Sequence, residues 1–169
     1  MPPSKRRHKV IELLARHEEA VGRLYAAYAD RFPAQRALWS KLSDEESQHA
    51  EWIRGLDPVI KEKAMTFRKD RFKADAIDKS MAWVTFQTGK AQSKDVPLDE
   101  ALTVAMDLEN GMIENKWFEV FSDDPPEFKT ILRSLAKATE THRTRVQRTW
   151  KKIGKADRQR LSRHGMGLD

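Results

Sequence analysis

The chain has 169 residues, 39% of them hydrophobic, with no cysteine and 32 basic against 26 acidic side chains for a formal charge of +6. That length gives one well-buried domain, and the lack of cysteine excludes disulfides, thiolate-held zinc, iron–sulfur clusters and thiol catalysis. The charge is mixed rather than striped, so nucleic acid is not the expected partner; no apolar run approaches the roughly 20 residues that span a bilayer, and the opening Met-Pro-Pro-Ser-Lys-Arg-Arg-His lacks the apolar core of a signal peptide, which leaves a cytoplasmic protein without a membrane partner.

The seven prolines fall between helix-patterned segments, and that punctuation predicts an all-α fold. The first helix is expected from about Lys9 to Asp30, with an inner line Leu14, Glu18, Val21, Tyr25, Tyr28, Phe32 in steps of three and four. Glu18 interrupts that line; the alternative is that Glu18 and Glu19 are surface acids at a shifted boundary. Tyr25 reads as a core aromatic whose hydroxyl finds a partner.

Phe32-Pro33 ends this helix and Pro33 opens the second, which is expected to reach Arg54 and close at Gly55 and Pro58. Its line is Trp39, Leu42, Glu46, His49, Ile53, Leu56. A glutamate three residues before a histidine places carboxylate and imidazole side by side, a metal-ligand spacing. The short connection makes the two helices antiparallel neighbours, so Glu18 and the Glu46/His49 pair lie at similar depth.

Residues 57–71 read as a connection, followed by a helix from about Phe72 to Ala91 with Ala74, Ile77, Met81 and Val84 as its apolar face. Trp83 and Phe86 read as packing or subunit-contact residues, which a homodimer would use. After a break at 89–97, Leu98-Asp99-Glu100 opens a helix with acids at its positive end. Its line is Leu102, Met106, Glu109, Ile113, Trp117, Val120; Glu109 could be satisfied by a cation, either a metal or Lys116 two turns on. Asp123-Asp124-Pro125-Pro126-Glu127 is a turn and helix start, and the last helix runs to about Lys152 along Phe128, Leu132, Leu135, Thr139, His142, Val146, Trp150, Ile153. His142 reads either as a hydrogen-bonded core histidine or as a ligand. The basic ends, about 1–8 and 155–169, are expected to be frayed.

Four helices thus each place a carboxylate, an imidazole or both within an apolar stripe, at Glu18, Glu46 with His49, Glu109, and His142. Buried without compensation, those groups would burden a marginally stable fold, and a shared metal ion offers the compensation. The segments Glu18-Glu-Ala-Val-Gly-Arg-Leu-Tyr25, Glu46-Ser-Gln-His-Ala-Glu-Trp52, Leu108-Glu-Asn-Gly-Met-Ile-Glu-Asn-Lys-Trp-Phe118 and Leu135-Ala-Lys-Ala-Thr-Glu-Thr-His142 resemble the ferritin-like, rubrerythrin-type carboxylate proteins. The resemblance covers most of residues 10–150 and implies a single ferritin-like domain, a four-helix bundle whose long crossover contains an additional helix. It further implies a metal site of one or two iron ions, or manganese, with Glu18 and Glu109 as terminal ligands, Glu46 as a bridge, and His49 and His142 as the imidazoles. The family's activities imply oxidation of ferrous iron by dioxygen or peroxide, a di-iron oxidase or peroxidase type of oxidoreductase. Thr139 departs from the pattern, since a second bridging glutamate is expected three residues before His142. A threonine is a poor replacement for an anionic oxygen, so a degenerate site on a scaffold that works as a binding or assembly module is the alternative. The sequence names no catalytic residue beyond the ligands, and without cysteine the electron donor would be external.

Overall fold

The helical patterning is realised as five α-helices in a computed structural model that describes residues 3–62, 74–114 and 126–163, and within them the side chains of 8–58, 75–112 and 129–154. They are α1 (Pro3–Arg31), α2 (Arg36–Glu62), α3 (Ala74–Gln92), α4 (Leu98–Glu114) and α5 (Pro126–Arg163). No strand occurs among the described residues, so the fold is all-α. None of the described helices is long and apolar enough to cross a membrane.

A single 3-10 turn, Pro33–Gln35, joins α1 to α2. Proline's fixed φ suits the first turned position, where its missing N–H is not needed, and the Phe32 N–H closes α1 on the Tyr28 carbonyl at 2.9 Å. So short a link forces α1 and α2 into an antiparallel hairpin, the most extensive packing in the fold. Helix α3 lies against α1, α4 pairs with α5, and α5 also touches α2.

The hydrophobic core forms two layers. One contains Val21, Leu24, Tyr25 and Tyr28 of α1, Trp39 and Leu42 of α2, Val84 of α3, Leu102 and Ala105 of α4, and Val146 of α5. The other contains Ile11 and Leu14 of α1, Ile53 and Leu56 of α2, Ile77 of α3, and Leu132 and Leu135 of α5. Glu18 falls between the two layers on α1, Glu46 and His49 between them on α2, and Thr139 and His142 between them on α5. A polar stratum therefore crosses the middle of an otherwise apolar interior.

The hairpin is close-packed at this stratum, where Gly22 faces Ser43 and Glu46. A Cβ on Gly22 would lie 3.3 Å from the Ser43 carbonyl oxygen and 3.4 Å from the Glu46 Cβ, and the Ser43 hydroxyl donates to the Gly22 carbonyl at 2.8 Å. Gly22→Val is expected to wedge α1 from α2 beside Glu46 and to lower stability by about 1–3 kcal/mol, as overpacking does. Denaturant unfolding, with the midpoint falling and the slope unchanged, measures this.

Several sequence expectations are corrected. Helix α2 does not close at Gly55 and Pro58 but continues to Glu62 with Pro58 inside it. The lost bond to the Arg54 carbonyl is tolerated because Ile53 and Leu56 are buried against the hairpin. Arg54 also forks onto Glu12, donating from Nε and Nη2 at 3.0 Å each, and donates from Nη1 to Glu19, while His8 meets Asp57 at 3.2 Å. On α4, Met106 is only half-buried, and the inner face is carried by Leu102, Ala105, Leu108 and Met112. Trp150 is half-exposed rather than inward. At about 100° per residue it stands some 40° round α5 from Val146, whereas Ile153 returns toward the core. Helix α5 extends past Lys152 to Arg163. The side chains of Ile113, Trp117, Val120, Phe128, Glu114 and Lys116, and with Lys116 the alternative partner for Glu109, lie outside the described ones.

Candidate metal centre

Side chains from α1, α2, α4 and α5 converge in the polar stratum. Glu18, Glu46, His49, Glu109 and His142 are all at most 3% exposed, and they form two trios that share one member. Glu18, Glu46 and His49 make the first, Glu46, Glu109 and His142 the second, and within each trio a ligand atom from every residue lies within 4.8 Å of the others.

The Glu46 carboxylate stands at the centre and faces both ways. Its Oε2 is 2.9 Å from His49 Nδ1, and its Oε1 is 2.9 Å from His142 Nδ1. Glu18 Oε2 stands 3.7 Å from the same nitrogen of His49, and Glu109 Oε1 stands 3.6 Å from that of His142. The two imidazoles stack with centroids 5.3 Å apart and planes 18° from parallel. Each half is therefore built alike, with one imidazole nitrogen, one oxygen of the shared carboxylate and one terminal carboxylate.

Hydrogen bonds fix this arrangement from outside. The Tyr25 hydroxyl donates to Glu109 Oε1 at 2.7 Å; the core aromatic has found its partner. Tyr25 packs against Trp39, whose ring also meets Tyr28, so aromatic faces cover the α1–α2 side. On the α5 side, His142 Nε2 is 2.9 Å from Glu45 Oε2, and Arg145 holds that same oxygen. With carboxylates at both ring nitrogens, His142 donates from both and is an imidazolium. Trp52, 39% exposed, lies over His49 at 5.5 Å.

Titration follows from burial and from these neighbours. Burial would depress both imidazoles, but Glu18 and Glu46 lift His49 to about 9, and Glu109 and Glu46 lift His142 to about 10. Burial, then the nearby Glu46 charge, pushes Glu18 up to about 7. Burial also raises Glu109, against the pull of His142 and Tyr25. Glu46 behaves oppositely: burial would raise it, but bonds from His142 and His49 hold it below the ordinary carboxylate range.

The donor set fits a divalent first-row metal. Carboxylate and imidazole are the ligands such ions accept from a chain without thiolates, and Glu109 Oε2 is buried with no hydrogen-bond partner, an acceptor that a cation would satisfy. Bonds of about 2.0–2.2 Å require each trio to close by small side-chain rotations. Thr139, 2% exposed, spends its hydroxyl on the Leu135 carbonyl at 3.1 Å and brings no charge to the cluster. Glu140 points away and binds Arg143 at the surface.

Two buried or half-buried polar residues near the site were not singled out from sequence. Glu45 lies about 100° round α2 from Glu46, off the stripe, and its partners His142 and Arg145 are about a hundred residues away. His17 is fully buried with Nε2 2.9 Å from the Ser80 hydroxyl, and burial lowers it to about 4, so it is neutral. Its position in the charged run Arg16-His17-Glu18-Glu19, beside the residue that carried the stripe, hid it.

Two substitutions probe the supports. Tyr25→Phe leaves both Glu109 oxygens without a donor from the α1 side and is expected to destabilise the protein by about 1–3 kcal/mol, read by denaturant unfolding of chelator-treated protein. Glu45→Ala releases His142 Nε2 and is expected to weaken binding of a divalent ion about 10–100-fold, as loss of a carboxylate behind a ligating histidine does; calorimetric titration against wild type checks it.

Fold and site together define an all-α protein with a buried, two-sided Glu/His cluster. Compared with protein-family models, with curated proteins and with solved structures, the chain gives no match.

Proposed function

We propose that the chain is a ferritin-like, rubrerythrin-type protein whose bundle is α1, α2, α4 and α5, with α3 in the crossover, and that it holds a pair of iron ions, or manganese, between the two trios. The observation that carries this reading is Glu46, one buried carboxylate whose two oxygens each face a separate glutamate–histidine pair. A hydrogen-bonding role alone needs no such duplication. Iron bound there supplies one-electron chemistry toward dioxygen or peroxide, and the proposed activity is oxidation of ferrous iron.

The chain's own residues bind and orient. Glu18 and Glu109 would each hold one ion, Glu46 would be shared between them, and His49 and His142 would offer Nδ1. Tyr25 fixes the Glu109 carboxylate, Glu45 and Arg145 hold the His142 ring, and the Tyr25–Trp39–Tyr28 aromatics exclude water from one side. A groove of about 310 Å³ between α2 and α5, reaching His49 and His142 past Trp52, gives small reactants an approach from the other side.

A second reading, a scaffold with a degenerate site that serves binding or assembly, is favoured by one observation: two imidazoliums already offset two of the three carboxylate charges, and burial raises Glu18 and Glu109 toward the uncharged form. Chelator-treated protein titrated anaerobically with ferrous iron, then exposed to dioxygen or peroxide, separates the two. About two ions per chain and a ferric absorbance band support the oxidase; no bound metal and no oxidation leave the scaffold.

A further inference from the structure

The geometry points to Thr139 as the place where a small external carboxylate, of formate or acetate size, completes the centre, an inference that rests on the two-cation reading above. The two halves of the site are alike except here. On α2, Glu46 stands three residues before His49 and reaches its Nδ1 at 2.9 Å. On α5 the residue three before His142 is Thr139, buried in the same stratum, with its hydroxyl hydrogen given to the Leu135 carbonyl. One turn before His142, α5 therefore brings an uncharged side chain shorter than glutamate by a carboxylate group.

Charge makes that difference consequential. Once the imidazoles ligate as neutral donors, Glu18, Glu46 and Glu109 bring three negative charges to two divalent ions, and one positive charge stays in a layer flanked by apolar core. Burying an unneutralised charge is costly, and one monoanion cancels it. Each trio supplies three donors, fewer than the four to six such ions take, so both ions have positions for the two oxygens of a bridging carboxylate. The groove between α2 and α5 has Lys137 and the paired Arg145 and Glu45 on its wall and the two imidazoles at its floor, a lining with one net positive charge before the imidazoles are counted, which an anion can approach.

The test titrates chelator-treated full-length protein with Co²⁺, which is redox-silent here and reports its coordination in the visible spectrum, with and without formate at constant ionic strength. In wild type, formate is expected to tighten the second Co²⁺ at least tenfold and to shift the cobalt bands. Thr139→Glu is expected to bind two Co²⁺ with no response to formate, and Thr139→Val, which changes the hydroxyl but not the charge, to keep the response. Two Co²⁺ bound by wild type with identical affinity and spectrum in both conditions would overturn the external carboxylate while leaving the two-cation reading standing. Failure of wild type to bind a second Co²⁺ even with formate would overturn both.

Discussion

Glu46→Gln is expected to disable both halves of the centre together and to give the largest single-site loss of stability in the protein. The carboxylate accepts from His49 and His142 at 2.9 Å through different oxygens. A glutamine offers one acceptor and turns a donor toward the other imidazolium. Removing one partner from a buried ion pair costs roughly 3–5 kcal/mol because a charge is left uncompensated, and total stabilities run only about 5–15 kcal/mol. The substitution therefore consumes a large share of what holds the fold. Metal binding separates this from a merely structural effect. Losing a terminal ligand, as in Glu18→Gln or Glu109→Gln, should leave one ion bound with weakened affinity, whereas Glu46→Gln should reduce the stoichiometry from about two to none. Calorimetry with Co²⁺ on the three variants, alongside denaturant unfolding, measures both quantities. Two ions retained by Glu46→Gln would show that the shared carboxylate is not a bridge.

That Glu46 could be picked out beforehand reflects how the fold reveals itself. In a bundle, a helix face is legible as a stripe of apolar residues three and four apart, and a carboxylate or imidazole inside the stripe is carried inward whatever its own preference. Glu18, Glu46, His49, Glu109 and His142 are buried for that reason, and the brevity of Phe32-Pro33 sets the depth of the first three. Glu45 was hidden because it stands off the stripe and owes its position to α5, a relation between distant segments that no local period encodes. Pro58 misled for the converse reason. A breaker acts locally, but Leu56 is held by the other helices of the core, and packing overrides propensity when enough area is buried. Trp150 shows the limit of the stripe itself, since a long helix drifts round its axis and one more step of four leaves the core.

The metal-stripped protein is expected to be most stable on the acid side of pH 6.5 and to lose several kcal/mol between pH 7 and 10. His49 near 9 and His142 near 10 both lie above the unfolded value of 6.5, so the native state binds their protons more tightly. Their contribution is fully present below pH 6.5 and is lost as pH rises through 9 to 10. Glu18, raised from 4.5 to about 7, and Glu109, also raised from 4.5, act in the same direction but from lower pH, because deprotonating them adds negative charge to a buried cluster. His17, held near 4, and Glu46, held below its usual range, work oppositely and are lost on acidification; since Glu18 offsets His17 above pH 4.5, the maximum falls on the acid side of pH 6.5. A change of one unit in a midpoint corresponds to about 1.4 kcal/mol, so two imidazoles displaced this far outweigh most surface pairs. Bound cations would reverse the slope. Each would compete with the Nδ1 proton of an imidazole, so metal affinity is expected to rise with pH while the stripped protein weakens. The gap in Tm between loaded and stripped protein is therefore expected to widen steadily from pH 6 to 9. A stripped protein whose Tm is flat from pH 7 to 10 would mean that these imidazoles carry no proton held by the carboxylates, and the charge balance assigned to the centre would fail with it.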